Sequence, residues 1–195
     1  MGTTEDPSSR EPVCRMRATP REEIIGRRFG PDGGKTGWGL FLGIAALVFL
    51  ADRISKHVVI TRLAVGEMWN PIPLLRPFFT VTHVTNTGAA FGLFREYGLF
   101  FAVVAVVVVV GIMAFYRFLP PGEVLLNVSL GLQLGGALGN LVDRLLLGSV
   151  VDFLDFKLWP VFNVADMAIV SGVAILACHL LFGGREGEKR AQGFD

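Results

Sequence analysis

The stretch "GALGNLVDRL", Gly136–Leu145, decides how this chain folds, because it places Asn140, Asp143 and Arg144 at the end of a long apolar run. A charged side chain at membrane depth costs about 2.5–3.5 kcal/mol on insertion scales, so such residues are functional candidates. Glycines recur every four residues before the acid, and this spacing puts them on one helix face. Small residues there allow a second helix to approach closely. The pattern predicts a membrane helix that directs Asp143 at a neighbouring helix.

Composition places the chain among integral membrane proteins. Of its 195 residues, 52% are hydrophobic and 18% are charged, whereas soluble domains carry about 25% charged residues. The formal net charge of +1 gives no sign of a nucleic-acid partner. The two cysteines, Cys14 and Cys178, belong to no CxxC or Cys/His cluster. We therefore expect no metal site and no disulfide between them.

Four segments are long and apolar enough to cross a bilayer, which takes about 20 mostly apolar residues. The predicted spans are residues 38–58, 97–119, 124–145 and 164–182. Together they predict an α-helical integral membrane protein with four transmembrane helices.

The ends of the chain differ in composition from the membrane domain, which we assign to residues 36–183. Residues 1–35 are polar and rich in Gly, Pro, Arg and Glu, a composition that favours a disordered extension. Residues 184–195 form a short polar tail. Lys and Arg cluster beside both ends of the membrane domain and in the short turn between the second and third spans. The positive-inside rule then predicts cytoplasmic termini and two long loops on the outer side.

The two long loops carry different signals. The first includes "FFTVTHVT", Phe78–Thr85, whose later positions alternate between apolar and polar residues. This period predicts a small extracytoplasmic β-element, or cradle, at the membrane face. The second loop is "GSVVDFLDFKLWPVFN", residues 148–163. Asp152 and Asp155 are expected to anchor it, although the residues alone leave Asp152 open as a catalytic acid.

The second loop has an acidic residue beside each of its ends, Asp143 before it and Asp166 after it. The third span ends near Asp143, and the fourth is entered through "FNVAD", which ends in Asp166. Antiparallel neighbours joined by an external loop bring both carboxyls to a similar depth near the outer surface. Two carboxyls close together in a poorly solvated site share a proton. Such a pair can activate a water molecule and protonate a leaving amine, which is the chemistry of an aspartic peptidase.

Four ordered blocks resemble those of the bacterial lipoprotein signal peptidases (signal peptidase II). "DRISK" begins at Asp52, "TNTGAAFG" at Thr85, "GGALGNLVDRLLLGSVVDFLDF" at Gly135 and "FNVADMAIVSGV" at Phe162. The resemblance covers about residues 38–182 and includes all four predicted spans. The polar N-terminal extension is additional.

The resemblance implies an intramembrane aspartic endopeptidase of the bacterial cell membrane. It would remove signal peptides from prolipoproteins by cutting on the amino side of a diacylglyceryl-modified cysteine, as a monomer among membrane lipids and without a cofactor. It implies that Asp143 and Asp166 form the catalytic dyad. The supporting or substrate-binding residues that it implies are Asn140, Asn163, Asn86, Arg144, Asp52 and Lys56.

Three other classes of membrane protein fit the same sequence less well. A proton-coupled transporter or channel predicts polar residues at several depths, but here they bunch toward one side and the second span is almost wholly apolar. A membrane chaperone or assembly factor would not require paired acids with matching asparagines. A presenilin-like aspartic peptidase would carry a Gly-Leu-Gly-Asp type motif, for which "GALGN" is a poor substitute.

Overall fold

The computed structural model describes residues 31–88, 98–119 and 123–182. Within these ranges, four helices are long and apolar enough to cross a membrane. They are α1 (Pro31–Arg62), α2 (Gly98–Tyr116), α3 (Val124–Leu147) and α4 (Val164–Phe182). This confirms the predicted membrane fold with four spanning helices.

The ends of the helices follow the predicted spans closely, with α1 as the main difference. The apolar part of α1 is Gly37–Arg62, so the helix continues about one turn beyond the predicted end at residue 58. Its backbone begins at Pro31, which places residues 31–35 in a helix and not in the polar extension. Residues 1–30 and the tail at 184–195 lie outside the described part of the chain.

Helix α3 is the centre of the bundle. In its most apolar stretch 67% of the residues are buried, against 22%, 11% and 17% in α1, α2 and α4. Glycines allow this close packing. A Cβ atom on Gly131 would lie 2.8 Å from the carbonyl oxygen of Phe41, and one on Gly135 would lie 2.5 Å from that of Ala45. The glycine face predicted from the sequence therefore packs against α1, backbone to backbone.

The next glycine in α3 faces the other neighbour. A Cβ on Gly136 would collide with the carbonyl oxygen of Ala165 in α4 and lie 2.8 Å from Cγ1 of Ile169. In return, Gly172 of α4 faces the backbone of Ser129 in α3. The ends of α3 and α4 that carry Asp143 and Asp166 are therefore held at a short separation from each other.

Helix α2 is attached to the bundle through aromatic packing. The ring of Tyr116 stacks on Phe41 of α1 with a centroid distance of 4.0 Å, and Trp38 meets it edge-on at 4.5 Å. The Tyr116 hydroxyl donates a hydrogen bond of 2.7 Å to Oδ1 of Asn127 in α3. A buried hydroxyl in an apolar bundle needs such a partner, so this contact fixes the position of α2 near that end of α3.

Three antiparallel strands lie outside the helices, in the order β1 (Met68–Trp69), β2 (Thr80–Asn86), β3 (Val150–Asp155). The predicted strand at Phe78–Thr85 corresponds to β2. In the register, Val84 is the partner of Asp152 and Thr85 the partner of Val151. A bulge between Val81 and Val84 interrupts the pairing.

The second external loop was predicted to be separate from the β-element, but its first residues belong to the sheet. Residues 150–155 form β3 and pair with β2. Their apolar side chains Val151 and Phe153 pack with Val59 of α1, and this burial makes the segment a strand. Helix α3 ends in Gly148, whose φ of +70° gives a left-handed cap that donates its N–H to the carbonyl of Arg144. That tight turn starts β3 directly above the end of α3.

The glycine packing predicts a strong position dependence of stability. Gly135→Ala places a methyl group against the α1 backbone, and overpacking of this kind costs about 1–3 kcal/mol. Gly43→Ala in α1 is the matched control, because nothing lies within 4 Å of its Cβ position. Thermal unfolding of the two variants in detergent should show a lowered midpoint for Gly135→Ala only. An equal midpoint for the two would contradict the packing of α3 on α1.

Candidate active site

A fully buried ion cluster joins α1 to α3. The ammonium of Lys56 lies 2.8 Å from Oδ2 of Asp52 and 2.8 Å from Oδ2 of Asp143. It also donates to Oδ1 of Asn140 at 2.9 Å. All three charged side chains have no exposed surface. A buried charge is tolerated when it is paired and hydrogen-bonded, and Lys56 has two carboxyl groups and one amide oxygen within 2.9 Å.

Arg53 completes the cluster and was not identified from the sequence. Its Nη1 atom contacts Oδ1 of Asp143, and 28% of its side chain is exposed. The cluster therefore contains two cations, Arg53 and Lys56, and two anions, Asp52 and Asp143. Its position three residues before Lys56 puts Arg53 on the same side of α1, which is the signal that could have identified it.

Asp143 and Asp52 each also accept a backbone N–H. Oδ2 of Asp143 accepts the N–H of Val151 at 3.2 Å, and Oδ1 of Asp52 accepts the N–H of Ala165 at 3.0 Å. The first contact ties the start of β3 to α3. The second ties the first turn of α4 to α1. The ion cluster therefore holds the two backbone segments that carry Asp152 and Asp166.

Asn140 connects this cluster to Asp166. Its Oδ1 accepts from Lys56, and its Nδ2 donates to Oδ1 of Asp166 at 2.8 Å. Asn140 lies one turn before Asp143 in α3, which is why the two side chains share a face. A single asparagine thus links the buried charges to the partly buried carboxyl of Asp166.

Asn163 caps α4 and bridges two acids. Its Oδ1 accepts the N–H of Asp166 at 2.9 Å, while Oδ2 of Asp166 accepts the N–H of Asn163 at 3.3 Å. This reciprocal pair is the geometry of a capping box. The Nδ2 of Asn163 donates to Oδ1 of Asp152 at 2.6 Å and to Oδ1 of Asn140 at 3.2 Å. Asn163 therefore contacts both Asp152 and Asp166.

Asp152 lies at the centre of this polar network. Only 2% of the residue is exposed, and its Oδ2 accepts from Nδ2 of Asn86 at 2.9 Å. Burial, and then the charge of Asp166, raise the pKa of Asp152 to about 7, while the hydrogen bonds from Asn86 and Asn163 and the charge of Lys56 act in the other direction. Asp152 therefore holds a proton in the neutral range, unlike an ordinary aspartate.

Arg144 lies at the edge of the network. Its Nη1 is 3.4 Å from the carbonyl oxygen of Asn140, and its guanidinium carbon is 5.8 Å from the centroid of the Phe101 ring in α2. An arginine over an aromatic face is stabilised by a cation–π contact. Its charge acts on Asp143, Asp152 and Asp166, so it contributes positive potential to all three acids.

A groove of about 540 Å³ opens beside Asp166. Its walls are apolar and come from the sheet, the loop after β3 and α4, and they include Leu154, Phe162 and Met167. Leu154 lies two residues after Asp152, so both side chains point from the same face of β3. Of the acids in the network, Asp166 lines this groove, and Asp143 and Asp152 do not. The groove therefore offers an extended apolar substrate access to Asp166 and to the face of the sheet that bears Asp152.

Asp155, by contrast, has a structural role at the end of β3. Burial opposes its ionisation, but hydrogen bonds from Lys157, Thr82 and Thr80 lower the pKa of Asp155 below its ordinary value. The Lys157 ammonium lies 2.5 Å from Oδ2 of Asp155 and donates to Thr80 at 2.8 Å. Lys157 itself has a φ of +50°. These contacts hold the turn that follows β3, as expected for a loop anchor.

The structure brings the predicted site residues into one network, in which Asp143 and Asp166 have different surroundings. All eight predicted residues lie within it or at its edge. Within the described part of the chain, no hydrogen bond or ion pair joins Asp143 to Asp166; Asn140 contacts Lys56 on one side and Asp166 on the other. Among all the residues that the structure describes, no group of three or more His, Cys, Asp or Glu could hold a metal ion.

Comparison with known proteins gives one consistent result. The family model for signal peptidase (SPase) II matches residues 44–182. A lipoprotein signal peptidase from Moorella thermoacetica is 50% identical over 150 residues, covering 76% of this chain and 98% of the relative. One from Pelotomaculum thermopropionicum is 46% identical over 138 residues, covering 71% of this chain and 89% of the relative.

Solved structures agree with the sequence relatives. A bacterial membrane enzyme solved by the in meso method superposes with a TM-score of 0.68 at 31% identity, covering 73% of this chain and 88% of the other. A second such enzyme gives a TM-score of 0.67 at 30% identity, covering 74% and 94%. All four blocks quoted above lie within the matched residues 44–182, as do the residues of the candidate site. The chain therefore belongs to the signal peptidase II family.

Proposed function

We propose that this chain is an intramembrane aspartic endopeptidase that removes signal peptides from diacylglyceryl-modified prolipoproteins. It cuts on the amino side of the lipidated cysteine. Family membership supports the removal of signal peptides from lipoproteins. The single observation that carries the aspartic mechanism is the pair formed by Asp152 and Asp166, which share Asn163, with Asp166 lining an apolar groove.

The contacts favour Asp152 over Asp143 as the partner of Asp166. Both oxygens of Asp143 are already engaged, by two cations and a backbone N–H. Asp152 accepts hydrogen bonds only from neutral amides and feels the charge of Asp166. We therefore revise the sequence-based assignment: Asp143 positions the site, and Asp152 shares the proton with Asp166.

The two acids have complementary surroundings. Both oxygens of Asp166 accept N–H hydrogen bonds, from Asn140 and from the backbone of Asn163, so in these contacts its carboxyl group acts as an acceptor. Asp152 carries the proton, since burial and the charge of Asp166 raise the pKa of Asp152 to about 7. Environments that separate two titratable groups in this way assign a base and an acid.

The reaction follows from these protonation states. A water molecule between the acids loses a proton to Asp166 as its oxygen attacks the peptide carbonyl carbon, and Asp152 gives its proton to the carbonyl oxygen. Asp166 then transfers its proton to the amide nitrogen as the carbon–nitrogen bond breaks. The new carboxylic acid returns a proton to Asp152. The products are the signal peptide and the amine of the lipidated cysteine, with one water consumed.

The location of the site suits a substrate anchored by acyl chains. Lys and Arg beside the chain ends support cytoplasmic termini in the bacterial cell membrane, and the acids then lie near the extracytoplasmic face. Exposed aromatic side chains surround the site on that side, including Trp69, Phe78 and Trp159. Aromatic residues of this kind favour the membrane interface, where a diacylglyceryl group would hold the scissile bond.

The substrate assignment predicts dependence on lipidation. A diacylglyceryl-modified precursor and the same precursor without lipid are incubated with the protein in detergent, and release of the signal fragment is followed. We expect release from the lipidated precursor at least tenfold faster, because the acyl chains place the cysteine at the depth of the acids. Equal release from both precursors would refute the proposed substrate.

The choice of dyad predicts different outcomes for three isosteric variants. Asp152→Asn and Asp166→Asn each remove a proton-transfer group and should abolish cleavage without lowering the unfolding midpoint. Asp143→Asn leaves buried cations without their partner, which costs about 3–5 kcal/mol in comparable pairs. It should lower the midpoint while retaining measurable cleavage at temperatures where the variant is folded. Normal turnover of the lipidated precursor by Asp152→Asn would contradict the role of Asp152 and favour Asp143 as the catalytic partner of Asp166.

A further inference from the structure

One face of α4 connects two cavities. The groove beside Asp166 is lined along α4 by Met167, Val170 and Ser171. A second cavity, of about 710 Å³, is lined along α4 by Ala174, Ile175, Cys178, His179 and Phe182. These positions recur every three or four residues and therefore form one continuous stripe on the helix. We call this stripe the α4 track.

The α4 track is open along its length. Met167, Val170 and Phe182 are 51%, 68% and 60% exposed, and Cys178 is an exposed free thiol. The opposite face of α4 is closed, because Gly172 and Ala168 pack against α3 or are buried. The track therefore faces the bilayer and is continuous with the site at Asp166.

The far end of the α4 track carries a negative charge. Its cavity is bounded by the first residues of α3, Glu123 and Leu125. Glu123 is exposed, and within the residues that the structure describes no Lys or Arg forms an ion pair with it. An acid at this end of an apolar surface complements a basic segment, while anionic phospholipid headgroups would be repelled by it.

The length of the α4 track matches one class of occupant. Asp166 and Phe182 are 16 residues apart, which is about 24 Å of helix. A signal peptide has a positively charged amino-terminal region followed by about 7–15 apolar residues, and as a helix the apolar part is about 10–22 Å long. If the cleavage site lies at Asp166, the basic region reaches the level of Glu123.

We propose that the α4 track is the docking surface for the transmembrane helix of the substrate's signal peptide. The signal helix lies antiparallel to α4, and Glu123 faces its basic amino-terminal region. This inference rests on the proposed function, since it takes the substrate to be a precursor cut beside Asp166. It adds a specificity determinant about 24 Å of helix away from the reacting bond.

Cross-linking through the native thiol of Cys178 tests the docking surface directly. The protein carries Cys14→Ser and Asp166→Asn, and the lipidated precursor carries one free cysteine at the start of its apolar segment; its lipidated cysteine is blocked as a thioether. Mild oxidation should link this cysteine to Cys178. The control is Cys178→Ala with Val110→Cys on α2, a position on another helix where 59% of the residue is exposed and no link should form.

Charge reversal tests the role of Glu123 in the active enzyme. Glu123→Lys should raise KM for a precursor with a basic amino-terminal region about two- to fivefold, the range for an exposed ion pair, with kcat unchanged. A precursor whose basic residues are replaced by Glu should show the reverse preference. Glu67→Lys, an exposed acid beside the sheet, is the control and should not distinguish the two precursors.

The outcomes separate this proposal from the proposed function. Cross-links of equal yield at Cys178 and at residue 110 would overturn the α4 track as a docking surface. A KM that does not depend on the charge at residue 123 would do the same. In either case the exposed face of α4 would be a surface that contacts lipid only. The proposed function would stand in that case if the wild type still cleaves the lipidated precursor. Failure of the wild type to cleave would overturn the function, whatever the pattern of links.

Discussion

The ammonium of Lys56 is buried where α1 packs against α3, and the carboxyl groups that neutralise it also hold the backbone beside Asp152 and Asp166. Asp52 and Asp143 supply the charges, and Asn140 supplies the third acceptor. Removing one partner of such a cluster leaves an uncompensated charge in a medium of low dielectric. The bundle therefore has one arrangement that satisfies this side chain, and that arrangement fixes the depth and the separation of α1, α3 and α4.

The same carboxylates extend this constraint to the reacting groups. Asp143 holds the N–H of Val151, next to Asp152, and Asp52 holds the N–H of Ala165, next to Asp166. Asn140 and Asn163 then orient the two acids. The carboxyl groups paired with cations thus hold the backbone in place, whereas Asp152 accepts hydrogen bonds only from neutral amides. In the proposed mechanism, two of the four aspartates take part in catalysis and the other two position them.

Much of the fold was predictable because apolar length and glycine spacing are local properties. Such patterns predict the four spans, the strand at β2 and the face of α3 on which Gly131 and Gly135 allow close helix packing. The pairing of β3 with β2 was missed, because it depends on burial of Val151 against α1. The roles of Asp143 and Asp152 depend on distant partners: Arg53 lies 90 residues from Asp143 in sequence, and Asn86 lies 66 residues from Asp152. The sequence pointed to residues that the structure places in one network, but their charge environments depend on these distant partners.

The most direct test of this account is an infrared pH titration of the carboxyl groups in the membrane-embedded protein. Burial and the charge of Asp166 raise the pKa of Asp152 to about 7, so Asp152 is protonated below that pH and charged above it. The contribution of Asp152 to the free energy of unfolding is therefore lost as the pH rises through 7. We predict a carboxylic C=O band that disappears near pH 7 and is absent in Asp152→Asn at every pH above 5. A band that persists unchanged in Asp152→Asn would contradict the shared proton between Asp152 and Asp166.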